Sequence, residues 1–178
     1  MLIMLALIPG VMSWFGGTKS SRTFAELQPG DCIALSVLDR GSAGTPLASA
    51  ELVHAKVACD DVDLSTLPAP ITYQIAMISP GAQTCPNAFY LDYFTTGVQN
   101  PEDRPRTYSA CLVPNFSVAW CLADNPETHG YDVVACGPEA LFRVVQVHEV
   151  DEPERCTGRT RPMEFPTPAR TYCLEEAS

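Results

Sequence analysis

Eight cysteines in two successive runs of four constrain this chain more than any other feature: Cys32, Cys59, Cys85 and Cys111, then Cys121, Cys136, Cys156 and Cys173. Structural zinc sites gather their ligands in close pairs such as C-x-x-C. No such pair is present; the nearest two cysteines, Cys111 and Cys121, stand far apart in sequence. An even cysteine count in a short chain reads instead as a disulfide framework, which forms and persists outside the reducing cytoplasm. Either half of a 178-residue chain buries too little apolar surface to be comfortable without such staples.

The two runs can be laid over one another. Arg106-Thr107-Tyr108 precedes Cys111-Leu112, and Arg170-Thr171-Tyr172 precedes Cys173-Leu174. His54 to Cys59 lies over Tyr131 to Cys136, and Tyr73 to Ile78 over Phe142 to Val147. The spacing predicts two tandem units, 29–114 and 115–178, each closed by a strand carrying its fourth cysteine. Connectivity is not fixed by sequence. Strands that open and close a unit are often neighbours, which favours joining first to fourth and second to third: Cys32 with Cys111, Cys59 with Cys85, Cys121 with Cys173, and Cys136 with Cys156. Each bridge contributes a few kcal/mol in the loop-closure account.

Residues 1–17 carry no charged side chain, and the first is Lys19. This length is at the short end of what crosses a hydrocarbon core of about 30 Å. A signal peptide opens with lysine or arginine and ends in a small-x-small cleavage site, and neither is clear here. The segment is therefore expected to be a retained anchor over 1–18, with Leu2, Leu5 and Ile8 in the apolar stretch and Trp14 and Phe15 toward the interface. Pro9-Gly10 inside it is tolerated where neighbouring protein satisfies the freed backbone groups, which points to other transmembrane helices. Residues 19–28 form a polar tether. No other apolar run is long enough to span a membrane, and the disulfide reading places the bulk of the chain on the extracytoplasmic side of the plasma membrane.

Beyond the tether, apolar and β-branched runs predict strands over 33–38, 52–59, 71–78, 107–113, 118–123, 131–136, 141–150 and 170–174. Cys85 to Phe94 is expected to be a short helix, with proline in its first turn and Ala88, Leu91 and Phe94 on one side. Residues 153–168 are expected to be loop. With 16 prolines and little helical periodicity, the fold class expected is mainly β with short helices (α+β).

The chemistry-bearing residues are sparse. His54 and His148 fall in predicted strands, with side chains expected on exposed sheet faces, and His129 in a turn beside Asp124, Glu127 and Asp132. Turn composition explains that last group as well as a metal site does. No G-x-S-x-G elbow accompanies the serines, and no C-x-x-C pair offers a redox thiol. Asp60-Asp61-Asp63 is the densest acidic cluster of the first unit and reads as a solvated loop; Asn115-Phe116-Ser117 is formally a glycosylation sequon. No catalytic residue, cofactor or metal is expected. The net charge of −10 disfavours nucleic acid and anionic lipid as partners of the globular part and suits a basic protein surface. Contacts with a partner are expected on the longer insertions of the first unit, 41–50, 60–70 and 95–105.

At Gly30-Asp31-Cys32, and again from Val134-Ala135-Cys136 through Pro138 to Val145, the chain resembles the septum-formation-related domain of actinobacterial envelope proteins. The resemblance covers 28–175 as two divergent copies, and Glu139 stands where many members carry histidine. It implies a membrane- or lipid-anchored extracytoplasmic protein. One anchor behind a stapled outer domain is also similar to accessory subunits of large membrane assemblies, of which the actinobacterial cytochrome bcc-aa3 respiratory supercomplex is an example. That likeness implies a non-enzymatic accessory subunit with integral membrane protein partners; a cell-envelope binding module acting alone, anchored or secreted, is the alternative.

Overall fold

The computed structural model describes residues 27–38, 51–81, 83–96 and 106–177; the expected anchor residues Leu2, Leu5, Ile8, Trp14 and Phe15 lie outside them. Among the described residues the protein is built of strands, with a single 3-10 turn at Pro153–Arg155. No helix among them is long and apolar enough to cross a membrane. Eleven strands run β1 Cys32–Leu38, β2 Glu51–Val57, β3 Ala69–Pro70, β4 Thr72–Pro80, β5 Leu91–Thr96, β6 Arg106–Pro114, β7 Cys121–Asn125, β8 Gly130–Val134, β9 Phe142–His148, β10 Arg161–Pro166 and β11 Ala169–Glu176.

They form two antiparallel sheets. The first has the order β2-β1-β4-β6-β5, and the second, read from its far edge, β3-β8-β7-β9-β11-β10. Apart from the added β3, the second order repeats the first, strand for strand. The registers agree in detail. Cys32 faces Val57 and Gln74, and Cys121 faces Val134 and Arg143. β4 carries an extra residue opposite β6, Ala76, between the pairs Ile75–Leu112 and Met77–Cys111; β9 carries Val145 between Val144–Leu174 and Gln146–Cys173. A bulge is a local kink that a sheet does not place at random.

Both first strands are entered through the same backbone turn. Gly30 N donates to Ile75 O and Ile75 N to Asp31 O, each at 2.8 Å; Ala119 N donates to Val144 O and Val144 N to Trp120 O, also at 2.8 Å. The turn requires a left-handed residue, with φ 95° at Gly30 and 73° at Ala119, at no steric cost to the glycine and at some cost to the alanine. A buried hydroxyl ties off each third strand. Ser109 Oγ donates to Gly81 O at 2.6 Å, and Thr171 Oγ1 to Val150 O at 2.8 Å. In this register Thr171 matches Ser109 and Tyr172 matches Ala110. The repeated Arg-Thr-Tyr triplets are therefore two residues out of step: they resemble each other in sequence but do not occupy equivalent places.

The bridges are Cys32–Cys59, Cys85–Cys111, Cys121–Cys136 and Cys156–Cys173, and no described cysteine is free. They stay within each run, but the pairings Cys32–Cys111, Cys59–Cys85, Cys121–Cys173 and Cys136–Cys156 are wrong. The reason lies in the strand order. The opening and closing strands of each sheet are not neighbours, because β4 or β9 lies between them. Each bridge instead staples a hairpin-related pair: the start of the first strand to the residue just past the second, and the lead-in to the fourth strand to the fifth.

Two other expectations fail locally. Cys85 to Phe94 is not a helix. Asn87 Oδ1 accepts from Phe89 N and its Nδ2 donates to Glu164 O, side-chain bonds that favour turns. From Leu91 the burial alternates, half-buried Leu91, exposed Asp92, buried Tyr93, the period of a strand rather than a helix. The expected loop 153–168 contains β10, an edge strand in which Met163 and Phe165 are buried while Pro162 and Pro166 are tolerated because an outer edge needs no N–H donors.

One apolar cluster serves both sheets. It joins Ile33, Leu35, Tyr73, Tyr93 and Leu112 of the first to Leu122, Val133, Val144, Phe165, Tyr172 and Leu174 of the second. β3, from the first half of the chain, pairs with β8 through Ala69–Val133 and Pro70–Asp132. Tyr73 carries its hydroxyl across to accept from Tyr131 N at 3.1 Å. Gly130 is what admits it: a Cβ there would lie 1.9 Å from the Tyr73 oxygen.

Candidate functional site

The segment joining the halves, Asn115 to Trp120, lies against the start of β11 and builds a cleft of about 230 Å³. Cys59, Asp60, Asn115, Phe116, Ser117, Trp120, Glu149, Arg170 and Tyr172 line it. Phe116 is nearly buried and packs on Tyr172 and Tyr131, with ring centroids 4.8 and 5.5 Å away. Tyr172 Oη donates to Pro114 O at 2.6 Å and accepts from Phe116 N at 3.3 Å. Burial holds this phenol above its ordinary range, against the pull of Arg170.

Arg170, with its side chain 14% exposed, is the polar centre. Its Nη1 donates to Asn115 Oδ1 at 3.0 Å and to Tyr172 Oη at 3.1 Å, its Nη2 to Gln74 Oε1 at 3.4 Å, and its Nε to Glu149 Oε2 at 3.1 Å. Asn115 passes the network on, its Nδ2 donating to Thr72 Oγ1 at 3.1 Å. One guanidinium thus ties β11, the linker and β4 together. The sequon asparagine has its amide nitrogen committed to this structural bond.

The three histidines stand on different elements. His54 is 1% exposed, with Nδ1 3.1 Å from Tyr93 Oη, so the expectation of an exposed sheet-face side chain is corrected: in edge strand β2 its ring points into the core and makes an edge-on contact with Tyr93. His148 Nε2 lies 3.3 Å from Gln146 Oε1 on β9. His129 sits exposed in the β7–β8 turn at φ 56° and edges a smaller recess of about 90 Å³ with Tyr73, Phe89, Tyr90 and Tyr131. The acidic residues near it are turn chemistry: Asn125 Oδ1 accepts from Glu127 N and Thr128 N, and Asn125 Nδ2 donates to the Asp132 carboxylate. No group of three or more metal-binding side chains converges among the described residues. Asp63 of the acidic cluster accepts from Ser65, which holds its carboxyl below the ordinary value.

Sequence reasoning singled out Arg170 and Tyr172 as a motif but not as the hub of a cleft. The signal was weak, since the partners Gln74, Asn115 and Glu149 come from three different segments. Comparison with protein-family models, with curated proteins and with solved structures returns no match.

Proposed function

We propose that this chain is a non-catalytic binding module on the extracytoplasmic side of the plasma membrane, anchored through residues 1–18 and acting as an accessory subunit of an envelope membrane-protein complex, with components of a cytochrome bcc-aa3 assembly as the partner class. The observation that carries the compartment is the set of four bridges, one pair in each half, because reduced thiols are the rule in the cytoplasm. The matching strand orders, bulges and hydroxyl ties support reading the chain as a duplication; that each copy is a septum-formation-related domain rests on the sequence resemblance alone. Gly30-Asp31-Cys32 supplies the left-handed turn into β1, and Val134-Ala135-Cys136 ends β8 at its bridge, so the residues that carry that resemblance hold structural positions.

The cleft suits binding better than turnover. Its arginine is committed to four protein acceptors, and its tyrosine is held protonated with its proton directed at Pro114 O. The test is purification of the full chain from its native membrane in mild detergent. Co-migration with integral membrane subunits, with residues 1–18 intact by mass, is the expected result. A free monomer with a cleaved N-terminus overturns the accessory reading in favour of an envelope module acting alone.

A further inference from the structure

The cleft between the halves combines features that select one sign of charge. Of its aromatic lining, Phe116 and Tyr172 are buried and Trp120 is half-buried, and Asp60 and Glu149 bring carboxylates to its mouth. Asp60 is exposed, and Glu149 keeps its side chain 68% exposed although one oxygen holds Arg170. The single cation in the wall is spent: an anion could reach Arg170 only by displacing Glu149, Asn115, Gln74 or Tyr172 from it. A cation meets the Trp120 ring, whose face attracts positive charge, and two carboxylates, on a chain whose net charge of −10 steers basic surfaces toward it.

We infer that this cleft is a docking slot for a lysine or arginine side chain presented by a basic surface of a partner protein. The inference rests on the reading of the chain as a binding module and names the chemistry its partner must show. The occupant is a long basic side chain because its aliphatic stem packs on the Trp120 ring while its head reaches the carboxylates. A bare metal ion has no aliphatic stem to pack there.

The slot can be tested on the full chain, bridges intact, without knowing the partner. The two tryptophans, Trp14 and Trp120, give two indole N–H resonances, and Trp120 lines the cleft. The probe is the blocked pentapeptide Ala-Lys-Ala-Arg-Ala, with Ala-Glu-Ala-Glu-Ala as control. The basic peptide is expected to move the Trp120 signal saturably by about 10 mM, leaving Trp14 in place, with an affinity that falls as salt rises. Asp60→Asn, at an exposed position, is expected to weaken it roughly threefold. A Trp120 response to the acidic peptide equal to or greater than that to the basic one overturns the inference, as does no saturable response to either. An Asp60→Asn affinity equal to that of the parent chain overturns it as well. Failure here with co-purification intact moves the contact elsewhere on the module and leaves the accessory reading standing. Saturable peptide binding without co-purification does the reverse.

Discussion

Removing one oxygen atom, by Tyr172→Phe, tests how the two halves are held together. The residue is fully buried, and its hydroxyl serves Pro114 O at 2.6 Å, Phe116 N at 3.3 Å and Arg170 Nη1 at 3.1 Å. Arg170 retains other acceptors, so the loss falls on the carbonyl and amide of the linker. A buried group deprived of its partner costs about 1–3 kcal/mol. The short bond to Pro114 belongs in the middle of that range and the longer one from Phe116 at its bottom, giving about 2–3 kcal/mol together. In a chain of this size that corresponds to roughly 4–12 °C in melting temperature. Urea unfolding of the oxidised protein, followed by tryptophan fluorescence and far-UV circular dichroism, is the assay, with an unchanged slope against urea expected. A loss below about 0.5 kcal/mol, the range of inconsequential surface changes, would refute the claim that this hydroxyl joins linker to sheet.

Gly130→Ala should cost about 3 kcal/mol, since its methyl would lie 1.9 Å from the Tyr73 oxygen and overpacking of this kind forces neighbours to shift. The same change in a Tyr73→Phe background should cost at least about 1 kcal/mol less, as measured by the same urea titrations. The Lys56 ammonium, 2.8 Å from Asp31, and the N–H of Gln28 lower the Asp31 carboxyl below its ordinary value, against the opposing effect of burial. A lowered folded value means the stabilisation is complete above the unfolded pKa of about 4 and is lost as pH falls through the folded one. With Lys56 half exposed, the wild-type advantage over Lys56→Met should be only about 0.5 kcal/mol at neutral pH, and unfolding measured toward about pH 2 should show it vanish. Mass mapping of unreduced proteolytic fragments should recover Cys32–Cys59 and Cys156–Cys173 as linked peptides, and any fragment joining Cys32 to Cys111 would contradict the strand order.

Local periodicity was enough to find most strands, because Ile33 and Leu35, or Phe142 and Val144 with Arg143 between them, alternate as a half-buried strand must. It failed where side chains bond to backbone, as at Asn87, or where prolines interrupt an edge strand whose inward pair, Met163 and Phe165, was nonetheless visible. The bridges were legible as bridges but not as pairs. Which cysteines meet depends on β4 and β9 occupying the sheet centres, a long-range fact that no window of sequence contains. The cleft was hidden for the same reason. Asn115 reads as a sequon and Arg170 as a repeated letter until Gln74 and Glu149 are brought beside them.

The two-residue strand β3 has a wider implication. Ala69 and Pro70 come from the first half of the chain but supply the outermost strand of the second sheet, and proline there offers no N–H to a further neighbour. The first half thus acts as a gatekeeper for the second, shielding the rim of β8 from pairing with other molecules. Residues 115–178 expressed alone would lose that guard and would be prone to self-association, so the two halves are not interchangeable parts: one serves as the other's built-in chaperone.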